Sequence, residues 1–330
     1  QWEAETLKAY PTARILTVAA GDFSKSKRGT FLSRIATGDW DLILVPYSVF
    51  KLLPMSLKAE IDFIEGQVAE LENHLWALKA QSQQKESMAA AIKSIERSKK
   101  TFEARLFQKK AMAKDSRETI TYEMLGVDML VVDEMHNFKN LYFATRITRI
   151  AGLPNSESQR AFDMFMKIQW TMARGGKVVA ATGTPISNTL AEAFTMQRYL
   201  QYSLLEKLGL THFDAWAGQF AVATPGIEMT PDGGGFRMNT RFRRFMNLSD
   251  LYAAFLQVAD PYAIQKGDIE GMPELYADGL IKVKCQRDPR LRPYVLSLGE
   301  RADAIKSGAV KPDQDNMLKI TSDGRKAALD

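Results

Sequence analysis

The chain has 330 residues, of which 45% are hydrophobic, 10% aromatic and 25% charged, average usage for globular proteins that excludes disordered, collagen-like and coiled-coil rod readings. Its 44 Lys+Arg against 39 Asp+Glu leave +5, too mild over this length to imply a polyanionic partner by itself. One cysteine, Cys285, and three histidines, His74, His136 and His212, exclude a disulfide-stapled secreted fold and a structural zinc site. The length fits two domains, or one large domain with insertions. No apolar run approaches the roughly 20 residues that span a bilayer, and the first residues lack the basic-then-apolar pattern of a signal peptide. The expectation is a cytoplasmic protein with no membrane partner.

Residues 2–7 (Trp-Glu-Ala-Glu-Thr-Leu) read as the middle of a helix with no cap before it, and the chain starts at Gln1, so a fragment of a longer protein is expected. Residues 13–20 and 40–45 form β-prone runs, the second ended by Pro46, with a short helix between them around Phe31 and Ile35. Residues 128–132 and 177–181 are two further apolar runs, separated by a helical pattern over 158–174. Four such runs alternating with helices predict an α/β fold built on a parallel sheet covered on both faces.

Residues 52–127 interrupt this alternation with helix-favouring Ala, Lys, Glu and Gln. Between Ser56 and Ala80 two lysines face five acids, a net −3, whereas between Lys85 and Glu118 ten bases face five acids, a net +5. An acidic arm joined to a basic one through Gln81-Ser-Gln-Gln84 predicts an antiparallel helical hairpin. Either the arms attract each other, or the basic arm lies along nucleic-acid backbone. Beyond residue 200 the alternation stops: 201–220 and 248–259 look helical, 224–235 reads as a loop, 279–284 as a possible strand, and the end from about 300 as polar helix without a core of its own.

Chemistry concentrates at two strand ends. Met129-Leu-Val-Val-Asp-Glu-Met-His136 is a buried strand ending in two carboxylates and a histidine. About 45 residues later a second strand runs into Thr182-Gly183-Thr184-Pro185, where Asn188 or Thr189 can cap a following helix. Strand ends on one edge of a parallel sheet lie side by side, so the Thr182 and Thr184 hydroxyls are expected beside Glu134 and His136. Taken singly, an acidic helix start and a plain turn would account for either motif.

Together, Asp133-Glu-Met-His-Asn-Phe-Lys-Asn140 and Ala181-Thr-Gly-Thr-Pro-Ile-Ser-Asn188 resemble motifs II and III of superfamily-two helicases, most closely the Swi/Snf-like DNA translocases with a DEAH-like motif II. Trp2-Glu3 resembles the Trp-Glu after motif Ia, Trp40-Asp-Leu-Ile-Leu-Val-Pro-Tyr-Ser-Val-Phe50 the motif Ib strand and turn, and Lys266–Leu275 and Asn316–Leu329 the passage towards a second lobe. The narrower resemblance is to phage and plasmid helicases associated with DNA methylases. It implies a RecA-like lobe one over 1–51 and 128–200, a helical hairpin insertion over 52–127, a helical accessory region over 201–283 and a linker over 284–330 towards a second lobe of the same protein. It also implies ATP and Mg²⁺ as cofactors and duplex DNA as partner, with a DNA methylase a further candidate.

Under the resemblance Asp133 holds Mg²⁺ through water, Glu134 polarises the attacking water, and His136 passes nucleotide state to the coupling motif Thr182, Gly183, Thr184 and Pro185. Tyr47 and Ser48 would touch DNA phosphates. Arg241, Arg243 and Arg244, interleaved with phenylalanines in 236–245, are a second candidate DNA surface or a cationic helix anchored by Phe242 and Phe245. The chain departs from the family in lacking Gly-x-x-x-x-Gly-Lys-Ser/Thr: Gly175-Gly176-Lys177 has neither the spacing nor the hydroxyl. The chain alone is therefore expected to be inactive. The alternative is a non-enzymatic DNA-binding or scaffolding component, of a phage-defence or anti-restriction type, with a vestigial nucleotide site.

Overall fold

The computed structural model describes residues 1–24, 27–81, 87–113, 120–145, 147, 150, 152–153, 158–187, 189–229, 236–263, 288–311 and 313–327. The 266–275 segment, the possible strand at 279–284, Cys285 and Asn188 lie outside them. Two units are distinguished: residues 1–224 with 242–258, and residues 225–241 with 259–330.

The first unit opens with α1 (Trp2–Ala9), β1 (Ile15–Thr17), α2 (Arg28–Thr37), β2 (Leu42–Leu44) and the single turn α3 (Tyr47–Phe50). Pro46 lacks an N–H and ends β2, and its extended backbone makes it the N-cap of α3. Strands β1 and β2 pair in parallel, Ile15 opposite Leu42 and Thr17 opposite Leu44. Helix α2 turns Phe31, Leu32 and Ile35 onto them, where they bury with Leu16, Val18, Val49 and Leu53.

The hairpin consists of α4 (Leu57–Gln81) and α5 (Ser87–Ala113). Ile64, Leu71, Leu75, Ile95 and Phe102 form its seam. Acids of α4 meet bases of α5 in Glu60–Lys109, Glu65–Lys110 (2.6 Å) and Glu72–Lys99 (2.7 Å), and Lys79 of α4 meets Glu96 of α5 at 3.0 Å. These contacts run antiparallel, and they are of the self-attracting kind. Being mostly exposed, each contributes about 0–1 kcal/mol.

The strand–helix–strand unit that carries the chemistry is β3 (Met129–Val132), α6 (Gln159–Ala173) and β4 (Lys177–Ala180), followed by α7 (Ala191–Leu200). Strands β3 and β4 are parallel, with Met129 opposite Lys177 and Val132 opposite Ala180. Ser158 caps α6, its Oγ accepting from the Ala161 N–H. Below the strands Leu130 and Val132 pack on Ala161, Met164, Phe165 and Ile168. The Gly175-Gly176 pair makes the tight return from α6 to β4: Gly175 has φ +81°, and a Cβ on Gly176 would come within 2.8 Å of the Thr171 carbonyl. Lys177 N–H then donates to the Asp128 carbonyl at 2.9 Å, so this lysine enters a strand.

One expectation changes here. The four apolar runs do form strands, but hydrogen bonds join them in two separate parallel pairs. Among the described residues the β3–β4 pair is covered on one face, and Met129, Val131 and Val179 on the other are 45–49% exposed. An apolar run reports compatibility with burial, whereas coverage depends on which elements pack above it.

Helices α8 (Tyr202–Lys207) and α9 (Phe213–Phe220) continue the first unit, and after strands β5 (Ala221–Met229) and β6 (Phe236–Phe245) it closes with α10 (Leu248–Phe255). Phe143, Phe194, Phe213, Trp216, Phe220 and Phe242 form one aromatic cluster. Strands β5 and β6 make a two-stranded sheet, so 224–229 is strand where a loop was expected, and the Arg-Phe segment is strand and not helix. Phe242 does anchor in the core, while Arg241 is taken by Glu228, its Nη2 donating at 3.0 Å. In the second unit α11 (Leu291–Lys306) and α12 (Met317–Ala327) bury Leu298, Ala302 and Ile320, a small core of their own, and Arg301 bridges Asp315 and Asp323.

The hairpin is seated on α9 through two histidines. The His74 and His212 rings lie 4.5 Å apart, His74 Nε2 is 3.5 Å from Asp214, and His212 Nδ1 is 3.9 Å from Glu70. Burial, and then the neighbouring His74, hold His212 below the ordinary histidine value of 6.5, against the opposite pull of Glu70 and Asp214. The unfolded chain therefore binds more protons than the folded one on acidification. This contribution to stability is complete above pH 6.5 and is lost as pH falls through the depressed value. Thermal melts from pH 7.5 down to 5 should show a falling Tm, with a shallower fall in His212→Asn; parallel profiles would remove His212 from this role.

Candidate functional site

The site sits where β3 and β4 end together. Ala181 N–H donates to the Val132 carbonyl at 2.8 Å and Met135 N–H donates back to the Ala181 carbonyl at 2.9 Å, carrying the parallel pairing one step past each strand. The Asp133-Glu134 pair emerges at this point, and Glu134 takes a left-handed conformation, φ 49° and ψ 50°. A non-glycine residue there costs on the order of 1–3 kcal/mol and is concentrated at functional positions. Asp133 Oδ1 accepts from the Glu134 N–H at 2.9 Å and Oδ2 from the Trp2 indole at 3.1 Å.

His136 links the two strand ends. Its Nδ1 is 3.1 Å from Glu134 Oε2 and 3.1 Å from Thr182 Oγ1. The Thr182 contact is a hydrogen bond in which Nδ1 donates or accepts according to the ring's tautomer, and the Glu134 contact is an ion pair when the ring is protonated. Thr182 Oγ1 also accepts from the Thr184 N–H at 3.1 Å. Glu134, His136 and Thr182 are thus in contact, and Thr184 joins them through its backbone N–H. Gly183 is exposed with open space around it, and Pro185 follows at the half-buried start of the next turn.

Other residues that the sequence reading did not single out support this arrangement. Lys139 donates to Ser187 Oγ at 2.5 Å and pairs with Glu192 at 3.1 Å, while Glu192 accepts from the Ser187 N–H at 2.7 Å. Tyr199, buried in α7, donates to the Phe138 carbonyl at 3.0 Å. Arg160 donates to the Asn137 carbonyl at 2.7 Å and lies over the Phe138 ring. Lys139 and Ser187 stand inside the two quoted motifs, and Trp2 in a matching dipeptide; Arg160 and Tyr199 carry no such signal.

The candidate DNA contacts fall differently. Ser48 is exposed on α3. Tyr47 packs edge-on against Phe138, with centroids 5.1 Å apart, and its buried hydroxyl has no hydrogen-bond partner among the described residues. Burial, then Asp133 and Glu134, push its pKa up to about 12. Tyr47 therefore faces the carboxylates more than the solvent. Arg244 is exposed, Arg241 is engaged by Glu228, and the side chain of Arg243 lies outside the described residues.

Among the described residues no group of three or more His, Cys, Asp or Glu could hold a metal. Mg²⁺ at nucleotide sites is bound by one or two carboxylates with waters and substrate phosphates, and the exposed strand-end position of Asp133 is compatible with that donor set. No helix among the described residues is long and apolar enough to cross a membrane.

A family model described as a probable helicase domain matches residues 3–263, and the chain belongs to this family. It is also similar to the "Defense against restriction protein B" of Escherichia phage P1, at 34% identity over 94 residues, 27% of this chain and 4% of that protein. The chain thus spans a small fraction of that curated relative. No solved structure matches it.

Proposed function

We propose that this domain is the RecA-like lobe one of an ATP-dependent DNA translocase of the Swi/Snf-like superfamily-two type. The observation that carries the reading is the His136 bridge from Glu134 to Thr182 across two parallel strand ends. Glu134 orients the attacking water and takes its proton, and Asp133 holds the hydrated metal. Mg²⁺, when bound with ATP, neutralises phosphate charge. His136 senses Glu134 and moves with Thr182 and Thr184, so the hydrolytic group and the coupling turn shift together. Ser48, with Arg244 as a second candidate, meets the DNA backbone without reading bases.

The 330 residues contain no Gly-x-x-x-x-Gly-Lys-Ser/Thr, and backbone N–H groups of such a loop supply much of the phosphate binding. Hydrolysis is therefore a property of the protein that carries this domain together with a phosphate loop and a second lobe. The test is triplex displacement: the full-length protein should strip a third strand from duplex DNA only with hydrolysable ATP. Displacement that is equal with a non-hydrolysable analogue, or absent despite hydrolysis, would refute movement along duplex.

The name of the phage P1 relative favours a second reading, a DNA-associated component acting against restriction. Under it the strand-end site binds nucleotide without turnover and serves as a structural joint.

A further inference from the structure

The hairpin uses its charges unevenly. Helix α5 carries seven bases and two acids over Ser87–Ala113. Three of its lysines are spent inside the fold, Lys99 on Glu72, Lys109 on Glu60 and Lys110 on Glu65. Both of its acids are engaged as well, Glu96 by Lys79 and Glu103 by Lys99. Lys93, Arg97 and Lys100 are left over: all three are exposed, and their side chains make no hydrogen bond or ion pair among the described residues.

These three stand at i, i+4 and i+7, a single row along one side of the helix. Ile95 and Phe102, which bury in the seam with α4, lie about half a turn round from them, so the row faces outward. Like charges at these spacings repel one another, a cost that an anion lying along the row removes. The row is about 10 Å long at 1.5 Å per residue, and duplex DNA carries one negative charge per about 1.7 Å of its axis. A polyanion therefore meets all three cations together, where a small anion meets one. An anionic membrane fits less well, because a helix that lies on one sinks an apolar face into it. The apolar face of α5 is already used against α4, and its exposed Phe107 and Met112 are five residues apart, on different sides of the helix.

We propose that the outer row of α5, Lys93, Arg97 and Lys100, docks the phosphate backbone of duplex DNA as a surface separate from Ser48 and Arg244; the choice of DNA rests on the translocase reading above. The contact is electrostatic and reads no bases. The helix thus divides its charge between two sides: the ion pairs to α4 hold the hairpin together, and the outer row takes the nucleic acid.

The experiment is DNA binding by the full chain, read as fluorescence anisotropy of a labelled duplex over a series of salt concentrations. Lys93→Gln, Arg97→Gln and Lys100→Gln combined should lower the salt slope by about two to three and weaken binding at low salt by about 10-fold or more, with unchanged melting. Lys93→Arg with Lys100→Arg should keep the wild-type slope. A control removes the same charge elsewhere: Lys207→Gln, Lys311→Gln and Lys326→Gln, all exposed positions, should together leave the slope unchanged. A wild-type slope in the row variant, or an equal loss in the control, would overturn the proposal. Sedimentation with phosphatidylserine vesicles covers the other polyanionic surface: row-dependent vesicle binding with no change in the DNA slope would make this a membrane-facing helix and overturn the DNA assignment. A reduced slope without ATP-driven triplex displacement would leave the row standing and remove the translocase reading; displacement with an unchanged slope would do the reverse.

Discussion

Glu134→Gln in the full-length protein should lower ATP turnover by about 10²–10⁴-fold, the range removed with a general base, while nucleotide affinity stays near that of the wild type. The substitution keeps the side chain's length and an oxygen to face His136 Nδ1, which lies 3.1 Å from Glu134 Oε2 in the native contact. It removes the ability to take a proton from water. Asp133 keeps both of its hydrogen bonds, from the Glu134 N–H and from Trp2, since neither uses the Glu134 carboxylate. A fall in turnover with unchanged binding of a fluorescent nucleotide isolates the chemical step. Retained turnover would assign the base elsewhere.

Trp216→Ala should destabilise the chain by about 3–5 kcal/mol, the usual cost of removing a large buried aromatic. Trp216 is fully buried, packs on Phe194, Phe213 and Phe220, and donates its indole N–H to Gln197 Oε1 at 2.7 Å. Truncation opens a cavity among the rings and leaves the Gln197 acceptor buried without that donor, which by itself costs on the order of 1–3 kcal/mol. Gln197 lies in α7, the helix that carries Glu192 and Tyr199 beneath the strand ends. Urea unfolding followed by far-ultraviolet circular dichroism measures the loss; a change below about 1 kcal/mol would mean that the aromatic cluster is not part of the cooperative core.

Much of the site was legible because its signals are local. Three of the strands, β2, β3 and β4, are short apolar runs with a marked end: Pro46, Asp133 and Thr182 each stand within two residues of one. The side-by-side placement of Glu134, His136 and Thr182 follows from the parallel pairing of β3 with β4. The single-faced coverage of that pair was not legible, since Met129 and Val131 look as apolar as Leu130 and Val132. Strand β6 was missed for a different reason. Phe236, Met238, Thr240 and Phe242 alternate with Arg237, Asn239, Arg241 and Arg243, a period of two that the basic-aromatic pattern obscured.

Long-range partners left no trace in the sequence at all. The His74 and His212 rings meet although they are far apart in the chain, and Lys167 is a buried cation in an otherwise ordinary amphipathic helix. Tyr47 reads as a surface donor after a strand and is turned inward by Phe138, which its own neighbours do not specify. Such placements are set by packing between elements, where propensity and periodicity carry no information.

Phosphate release by the full-length protein, with and without duplex DNA, tests the central claim most directly. The account predicts Mg²⁺-dependent ATP hydrolysis that duplex DNA stimulates, and that stimulation should collapse when His136 is replaced by alanine, because the link from Glu134 to Thr182 is then cut. Hydrolysis absent under both conditions, in a protein that still binds DNA, would contradict it.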